Sequence, residues 1–239
     1  MGSLLVEIGE GGGAIQRLDL AKAPHLLVAG MTGSGKSAFI NALLCDLITN
    51  NVSEELGLLL IDPKRVELSA YRGLPHLLCP PVFEVDEAKS ALGWAAREMD
   101  IRFGKISNGD DGPWSKLVVV IDELANLILA DKEIEKPIVR IASMGRAAGV
   151  HLVLATQRPS ADVLTGLIRA NVPTRICLPV VTRMDSRIIL DEGGGERLVR
   201  PGEMLARLPG SRDLLHLQGR FVNESQIATD VRVAIRRES

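Results

Sequence analysis

An α/β fold on a mostly parallel sheet, with helices on both faces, is predicted by three observations. From Leu26 onward, short apolar runs alternate with longer helix-like stretches. The runs are apolar at nearly every position, the pattern of strands buried on both faces. One of them, Leu26-Leu27-Val28-Ala29, leads straight into Gly30-Met31-Thr32-Gly33-Ser34-Gly35-Lys36-Ser37, which fits the phosphate-loop pattern G-x-x-x-x-G-K-[ST] in its strand–turn–helix setting.

The elements are placed in order as follows. Residues 1–23 read as an edge hairpin or arm: a strand at 4–8, a Gly turn, and a strand at 15–19. The opening Met1-Gly2-Ser3 reads as a sequence added to the natural chain. Strands are expected at 26–29, 58–61, 117–121, 151–155 and 175–178. Helices are expected at 36–49, 86–103, 133–147 and 184–190, with Asp86-Glu87 as an acidic first turn. Asn108-Gly109-Asp110-Asp111-Gly112-Pro113 reads as an exposed loop. After Gly193-Gly194-Gly195, short runs at 204–206 and 214–217 between Pro-Gly turns suggest a β-hairpin appended to the sheet. A closing helix is expected at 224–236. The organisation expected is one domain over 1–239: arm 1–23, nucleotide-binding core 24–192, and C-terminal hairpin and helix 193–239.

Composition narrows the function. At 239 residues and 46% hydrophobic the chain can bury an ample core. A net charge of −2 excludes a bulk basic signature for nucleic acid, although a locally basic channel remains compatible with it. Aromatic residues are 3%, which argues against a surface that stacks bases on rings. Cys45, Cys79 and Cys177 are odd in number and widely spaced, and no C-x-x-C or closely spaced His pair accompanies them. They read as reduced core thiols of a cytoplasmic protein rather than a metal site. No signal peptide is visible, and no apolar run approaches the roughly 20 residues of a membrane span.

The chemistry begins at the phosphate loop. Gly30, Met31, Thr32, Gly33, Ser34, Gly35, Lys36, Ser37 and Ala38 are the expected phosphate cradle. Its glycines let backbone N–H groups wrap around phosphate oxygens, and the helix N-terminus adds positive potential. Lys36 is expected to reach the β- and γ-phosphates and Ser37 to hold Mg²⁺. The run Leu117-Val118-Val119-Val120-Ile121 ends in Asp122-Glu123, a Walker B pattern. Asp122 is the expected partner of Mg²⁺, and Glu123 the residue that orients or deprotonates the attacking water.

Three other places carry weaker signals. Gln157 follows the 151–155 run, where a polar side chain can contact the γ-phosphate or the attacking water. Arg146 lies at a helix end, where a cation offsets the helix dipole or serves as an arginine finger for a neighbouring subunit. Asp62-Pro63-Lys64 closes the second strand at an edge where ligands gather, with Lys64 facing phosphate, DNA or solvent.

Several strings resemble the FtsK/SpoIIIE double-stranded DNA translocases. They are Pro24-His25 through Ser37, Ile61-Asp62-Pro63-Lys64 with Glu67-Leu68-Ser69, Gly73-Leu74-Pro75-His76, Arg146-Ala147-Ala148-Gly149, Ala155-Thr156-Gln157-Arg158-Pro159-Ser160, the segment Gly166-Leu167-Ile168-Arg169-Ala170-Asn171, and Asp185-Ser186-Arg187. The resemblance implies a RecA-like ATPase core that takes ATP and Mg²⁺ and works as a hexameric ring around duplex DNA in DNA segregation or transfer. It assigns Arg146 the trans arginine finger. It turns Arg158, Arg183 and Arg187 toward a DNA channel, where phosphate contacts position the duplex without reading its sequence. Against the family's full layout, residues 1–239 are expected to comprise the motor lobe without the lobe that normally precedes it, a membrane-spanning region or a C-terminal winged helix. Membrane association is therefore expected only through segments absent from this chain. Two other readings share the core: a protein-export ATPase of the type VII secretion class, and a nucleotide-gated binding module that moves nothing. The intact strings around Gln157 and Asp185 favour DNA over a polypeptide.

Overall fold

A computed structural model describes residues 4–110, 112 and 114–238. The reading of residues 1–3 lies outside them, as do Asp111 and Pro113 of the 108–113 loop. The chain opens with a hairpin of β1 (Leu5–Gly11) and β2 (Ala14–Asp19). It continues through β3 (His25–Ala29), α1 (Lys36–Asn50), β4 (Leu56–Ile61), α2 (Val85–Ser107) and β5 (Lys116–Ile121). Then come α3 (Leu124–Ala130), α4 (Glu135–Ala148), β6 (Val150–Thr156), α5 (Gly166–Asn171), β7 (Thr174–Cys177) and α6 (Arg183–Leu190). The hairpin of β8 (Glu203–Arg207) and β9 (Leu215–Gln218), and α7 (Glu224–Arg237), close the chain.

All nine strands form one sheet, in the order β2-β1-β9-β8-β7-β3-β6-β5-β4. The run from β7 to β4 is parallel, with Leu27 opposite Leu154 on one side and Arg175 on the other. Every residue of β3, β4, β6 and β7 is buried, for a simple geometric reason. Successive side chains of a strand point to opposite faces, and both faces are covered. Leu26, Val28, Leu58 and Val120 join one core with α1 and α7, while Leu27, Ala29, Leu59 and Val119 join the other with α2, α3 and α4. Each such leucine or valine contributes about 1.5–3 kcal/mol by leaving water.

The other end of the sheet is antiparallel. β8 pairs with β7, β9 with β8, and β1 with β9. β8 alternates half-exposed and buried positions, as strands of one-sided sheets do. The two chain ends therefore build the same half of the sheet. α7 lies on α1, and Arg237 donates to the carbonyls of Ile48 and Thr49 (2.9 Å each) and of Asn51, capping the α1 C-terminus.

The expected strands and helices are all present, with ends shifted by a few residues. Among the described residues, two α-helices are additions. α3 is seven residues long and almost wholly apolar, too short and too uniform for a period to show in sequence. α5 is six residues long and is held by Thr165, whose Oγ1 accepts from Ile168 N (3.3 Å). α4 stops at Gly149, whose φ of 69° is the left-handed conformation glycine adopts readily.

Candidate active site

β3 lies between β6 and β7, so the loop that follows it emerges where the strand order reverses, the usual ligand edge of such sheets. The loop hangs between its neighbours: Gly30 N donates to Thr156 O (3.3 Å) and Met31 N to Pro179 O (2.8 Å). Gly35, with φ 97°, is the N-cap of α1, and a Cβ there would stand 2.5 Å from Gly202 N. Only glycine meets both demands. Gly202 N in turn donates to Ser34 O (2.8 Å), so the C-terminal hairpin region braces the loop from outside. No side chain caps α1. Its first-turn N–H groups thus lack intrahelical partners, and the helix dipole favours an anion there. The buried Ser34 Oγ has no hydrogen-bond partner among the described residues. Beside Ser37, Ala38 and Asn41 opens a recess of about 470 Å³, walled on its other side by Phe221, Val222 and Asn223.

Below the loop, Lys36 Nζ donates to Asp122 Oδ1 (2.5 Å) and to Asp122 O (2.7 Å), and both side chains are 2% exposed. Burial raises the Asp122 carboxyl pKa, and the Lys36 charge opposes that rise. Ser37 and Asp122 are oxygen donors of the hard type Mg²⁺ takes, and Asp122 Oδ2 accepts no hydrogen bond among the described residues. The pair fits that ion.

Glu123 lies beside this floor and is 2% exposed. Its Oε1 accepts from Thr156 Oγ1 (2.7 Å) and Gln157 N (3.1 Å). Its Oε2 accepts from Lys64 Nζ (2.9 Å) and, at 3.2 Å, from the same Gln157 N. Gln157 Oε1 accepts from Lys64 Nζ (2.8 Å) and from Thr32 Oγ1 of the phosphate loop (3.3 Å). Lys64 is set by its own loop. The buried carboxylate of Asp62 takes the N–H groups of Lys64 (3.1 Å), Glu67 (2.9 Å) and Leu68 (3.0 Å). Of the three surroundings open to Lys64 from sequence, the structure gives a fourth: a carboxylate and an amide of the site itself.

Lys36, Asp122, Glu123 and Gln157 thus meet at the carboxyl edge of the parallel strands. Arg146 is not among them. It is exposed in the last turn of α4, which leads through Gly149 into the first residue of β6. It stands at the amino edge, one strand length, roughly 20 Å, from the carboxyl edge of its own chain. Arg158 is exposed just past Gln157, and Arg183 and Arg187 are exposed one turn apart on α6. None of these four guanidinium groups joins an ion pair among the described residues, and no group of possible metal ligands of the His, Cys, Asp and Glu type is found among them. No helix of the described residues is long and apolar enough to cross a membrane.

The sequence profile of the FtsK/SpoIIIE family matches residues 2–112 and 107–161. The chain belongs to the FtsK/SpoIIIE family. Among relatives, the DNA translocase FtsK of Streptomyces coelicolor is 44% identical over 238 residues, covering 89% of this chain and 26% of that protein. The chain spans 25% to 30% of the length of such relatives. Among solved structures, the pCW3 conjugation coupling protein TcpA with ATPγS superposes with a TM-score of 0.85 at 26% identity, over 98% of this chain and 70% of that one. The cytoplasmic domain of the type VII secretion ATPase EccC of Thermomonospora curvata gives 0.84 at 25%, over 97% and 31%. The fold is that of the P-loop ATPase motor domains.

The sequence reading placed Asp62 and Lys64 at a ligand edge without assigning them partners, and gave Thr156 and Gly202 no role in the site. Asp62-Pro63-Lys64 did carry a signal, its place at a strand's carboxyl end. Thr156 lay within the strand-exit string that resembles the family, and Gly202 only within a Pro-Gly turn.

Proposed function

We propose that this chain is an ATP-hydrolysing motor domain that moves double-stranded DNA, its sites completed between subunits of a hexameric ring. The observation that carries the reading is the carboxyl-edge cluster itself: a buried Lys36–Asp122 pair, and Glu123 held by Thr156 of β6 and by Lys64 of the loop after β4.

The chemistry follows from these positions. The loop N–H groups and Lys36 hold the phosphates, and the recess beside Ser37 and Ala38 has room for the nucleoside. Ser37 and Asp122 would hold Mg²⁺, which would supply charge neutralisation to the phosphates. A water oxygen bonds to the γ-phosphorus, the bond from that phosphorus to the ADP oxygen breaks, and the water proton goes to Glu123. Gln157 orients the water from its place between Lys64 and Thr32. Such a transition state is stabilised mainly by positioned charge. Arg146, too far from its own phosphate loop, serves the site of a neighbouring subunit.

DNA as the cargo rests on the relatives, which are DNA translocases at 44% identity, and on Arg158, Arg183 and Arg187 at the same end of the domain. The likeness to EccC keeps a polypeptide cargo as the second reading. Turnover measured with duplex DNA, with single strands and with candidate secreted polypeptides separates them. Stimulation by duplex DNA that falls steeply with salt is the expected outcome. Turnover that duplex DNA never alters, in a verified ring at low salt, overturns it. Nucleotide binding with negligible turnover in every condition identifies a gated binding module instead.

A further inference from the structure

We infer that Lys64 is a positioning residue that occupies Glu123 and leaves it for the terminal phosphate of a nucleoside triphosphate, so that the general base becomes available only when that phosphate is present. The inference rests on the motor reading above and names the regulation of that same site.

The argument starts from the lone pairs of Glu123. A carboxylate has about four acceptor positions. Thr156 Oγ1 (2.7 Å), Gln157 N (3.1 and 3.2 Å) and Lys64 Nζ (2.9 Å) approach both oxygens of Glu123. With two contacts at each oxygen and an ammonium paired to one of them, Glu123 is poorly placed to take a proton from water. One donor must leave, and the fold decides which. Thr156 is the last residue of β6 and is fully buried, and the Gln157 donor is a backbone N–H just beyond it. Neither can move without opening the sheet. Lys64 stands on the loop after β4, its side chain 33% exposed at the end of a flexible four-carbon stem. It is the removable partner.

The surroundings also say where it goes. Lys64 holds Gln157 Oε1 (2.8 Å), and the same oxygen accepts from Thr32 of the phosphate loop (3.3 Å). The ammonium is therefore one hydrogen-bonded residue from the loop that cradles phosphate. A γ-phosphate there carries more negative charge than the single carboxylate of Glu123. Exchanging one charge-assisted bond for a stronger one draws the lysine across. Lys36 makes the contrasting case: at 2% exposure it is bound to both the carboxylate and the backbone carbonyl of Asp122, whereas Lys64 is held by side chains alone. The buried Asp62 keeps the Lys64 backbone still while the side chain swings.

The test is a binding cycle. Dissociation constants for a β,γ-imido ATP analogue and for ADP are measured on the unaltered chain, Lys64→Met, Glu123→Gln and the double variant, with thermal melts to confirm folding. Lys64→Met is expected to weaken the analogue about tenfold and ADP less than about twofold, because ADP has no γ-phosphate. Glu123→Gln is expected to tighten the analogue several-fold by loosening Lys64, and that gain should vanish in the Lys64→Met background. Lys64→Arg, which keeps the charge, should restore most of the preference for the analogue, and it serves as the informative variant if Lys64→Met does not fold. Equal weakening of analogue and ADP, or strictly additive effects, overturns the inference while leaving the motor reading intact. A chain that binds neither nucleotide overturns both.

Discussion

The two ends of the parallel strands hold their buried polar groups differently: imidazoles and Arg102 on fixed backbone groups at one, ion pairs beside the phosphate loop at the other. At the amino end His25 and His151 are 1% exposed. Burial lowers the His25 pKa to about 3 and the His151 pKa to about 4, so both are neutral at neutral pH. Each is tied to backbone: His25 Nδ1 accepts from Leu152 N (3.1 Å), and His151 Nδ1 donates to Pro24 O (3.1 Å). Arg102 adds two carbonyl contacts there, to Ser115 and Ala148. At the carboxyl end the buried groups are charged and paired: Lys36 with Asp122, Lys64 with Glu123. Neutral imidazoles on fixed carbonyls and amides fill space and hold strands together. Charged pairs keep a potential that an incoming phosphate can compete for. The charged pairs beside the phosphate loop thus lie at one end, and Arg146 is exposed at the other.

The sharpest way to break this division is Arg146→Ala. A ring built from it should lose about 10³–10⁵ in turnover, while stability stays within about 0.5 kcal/mol because the side chain is exposed. Mixing this variant with Lys36→Ala chains should restore part of the activity, each supplying what the other lacks. No recovery in a verified mixed ring would falsify the between-subunit role.

Next in size is Glu123→Gln, expected to slow single-turnover hydrolysis about 10²–10⁴-fold with nucleotide binding retained. Near-normal turnover would remove Glu123 as the base. Gly35→Ala tests the loop geometry rather than its charge. A β-carbon at φ 97°, 2.5 Å from Gly202 N, should cost of order 1–3 kcal/mol, read as a loss of roughly 10- to 100-fold in nucleotide affinity with the fold retained. Affinity within a factor of about two would show that the brace is slack.

The smallest effect per residue belongs to the amino end. Both histidine pKa values are lowered in the folded chain, so the unfolded chain binds more protons below its ordinary value near 6.5. The stability they contribute is complete above pH 6.5 and is lost progressively toward pH 4 and 3. At pH 5.5 each should cost about 1 kcal/mol. Denaturant melts between pH 7 and 5 on the unaltered chain and on His151→Phe measure it, and a slope unchanged by the substitution would contradict the assignment.

Much of this was legible in the chain. A strand that is apolar at every position, followed by Gly30 to Ser37, specifies a buried parallel sheet with a phosphate loop at its edge, because both signals are local. Asp122-Glu123 is local too, sitting where an apolar run stops. α3 and α5 were not legible, since six or seven residues complete barely two turns and show no period. The partners of Lys64 were invisible for a different reason: Glu123 and Gln157 lie 59 and 93 residues away along the chain. Gly202 gives no sign in sequence that it touches Gly35.

By itself, then, the sequence determined which residues are available to hold phosphate, support a cation and take a proton, because short strings dictate local backbone and residue type. Only the tertiary structure decided how they are used. Strand order set Glu123 between Thr156 and Lys64, and the length of β6 separated Arg146 from the phosphate loop of its own chain. Both depend on which strands neighbour one another, and no local stretch of this chain encodes that.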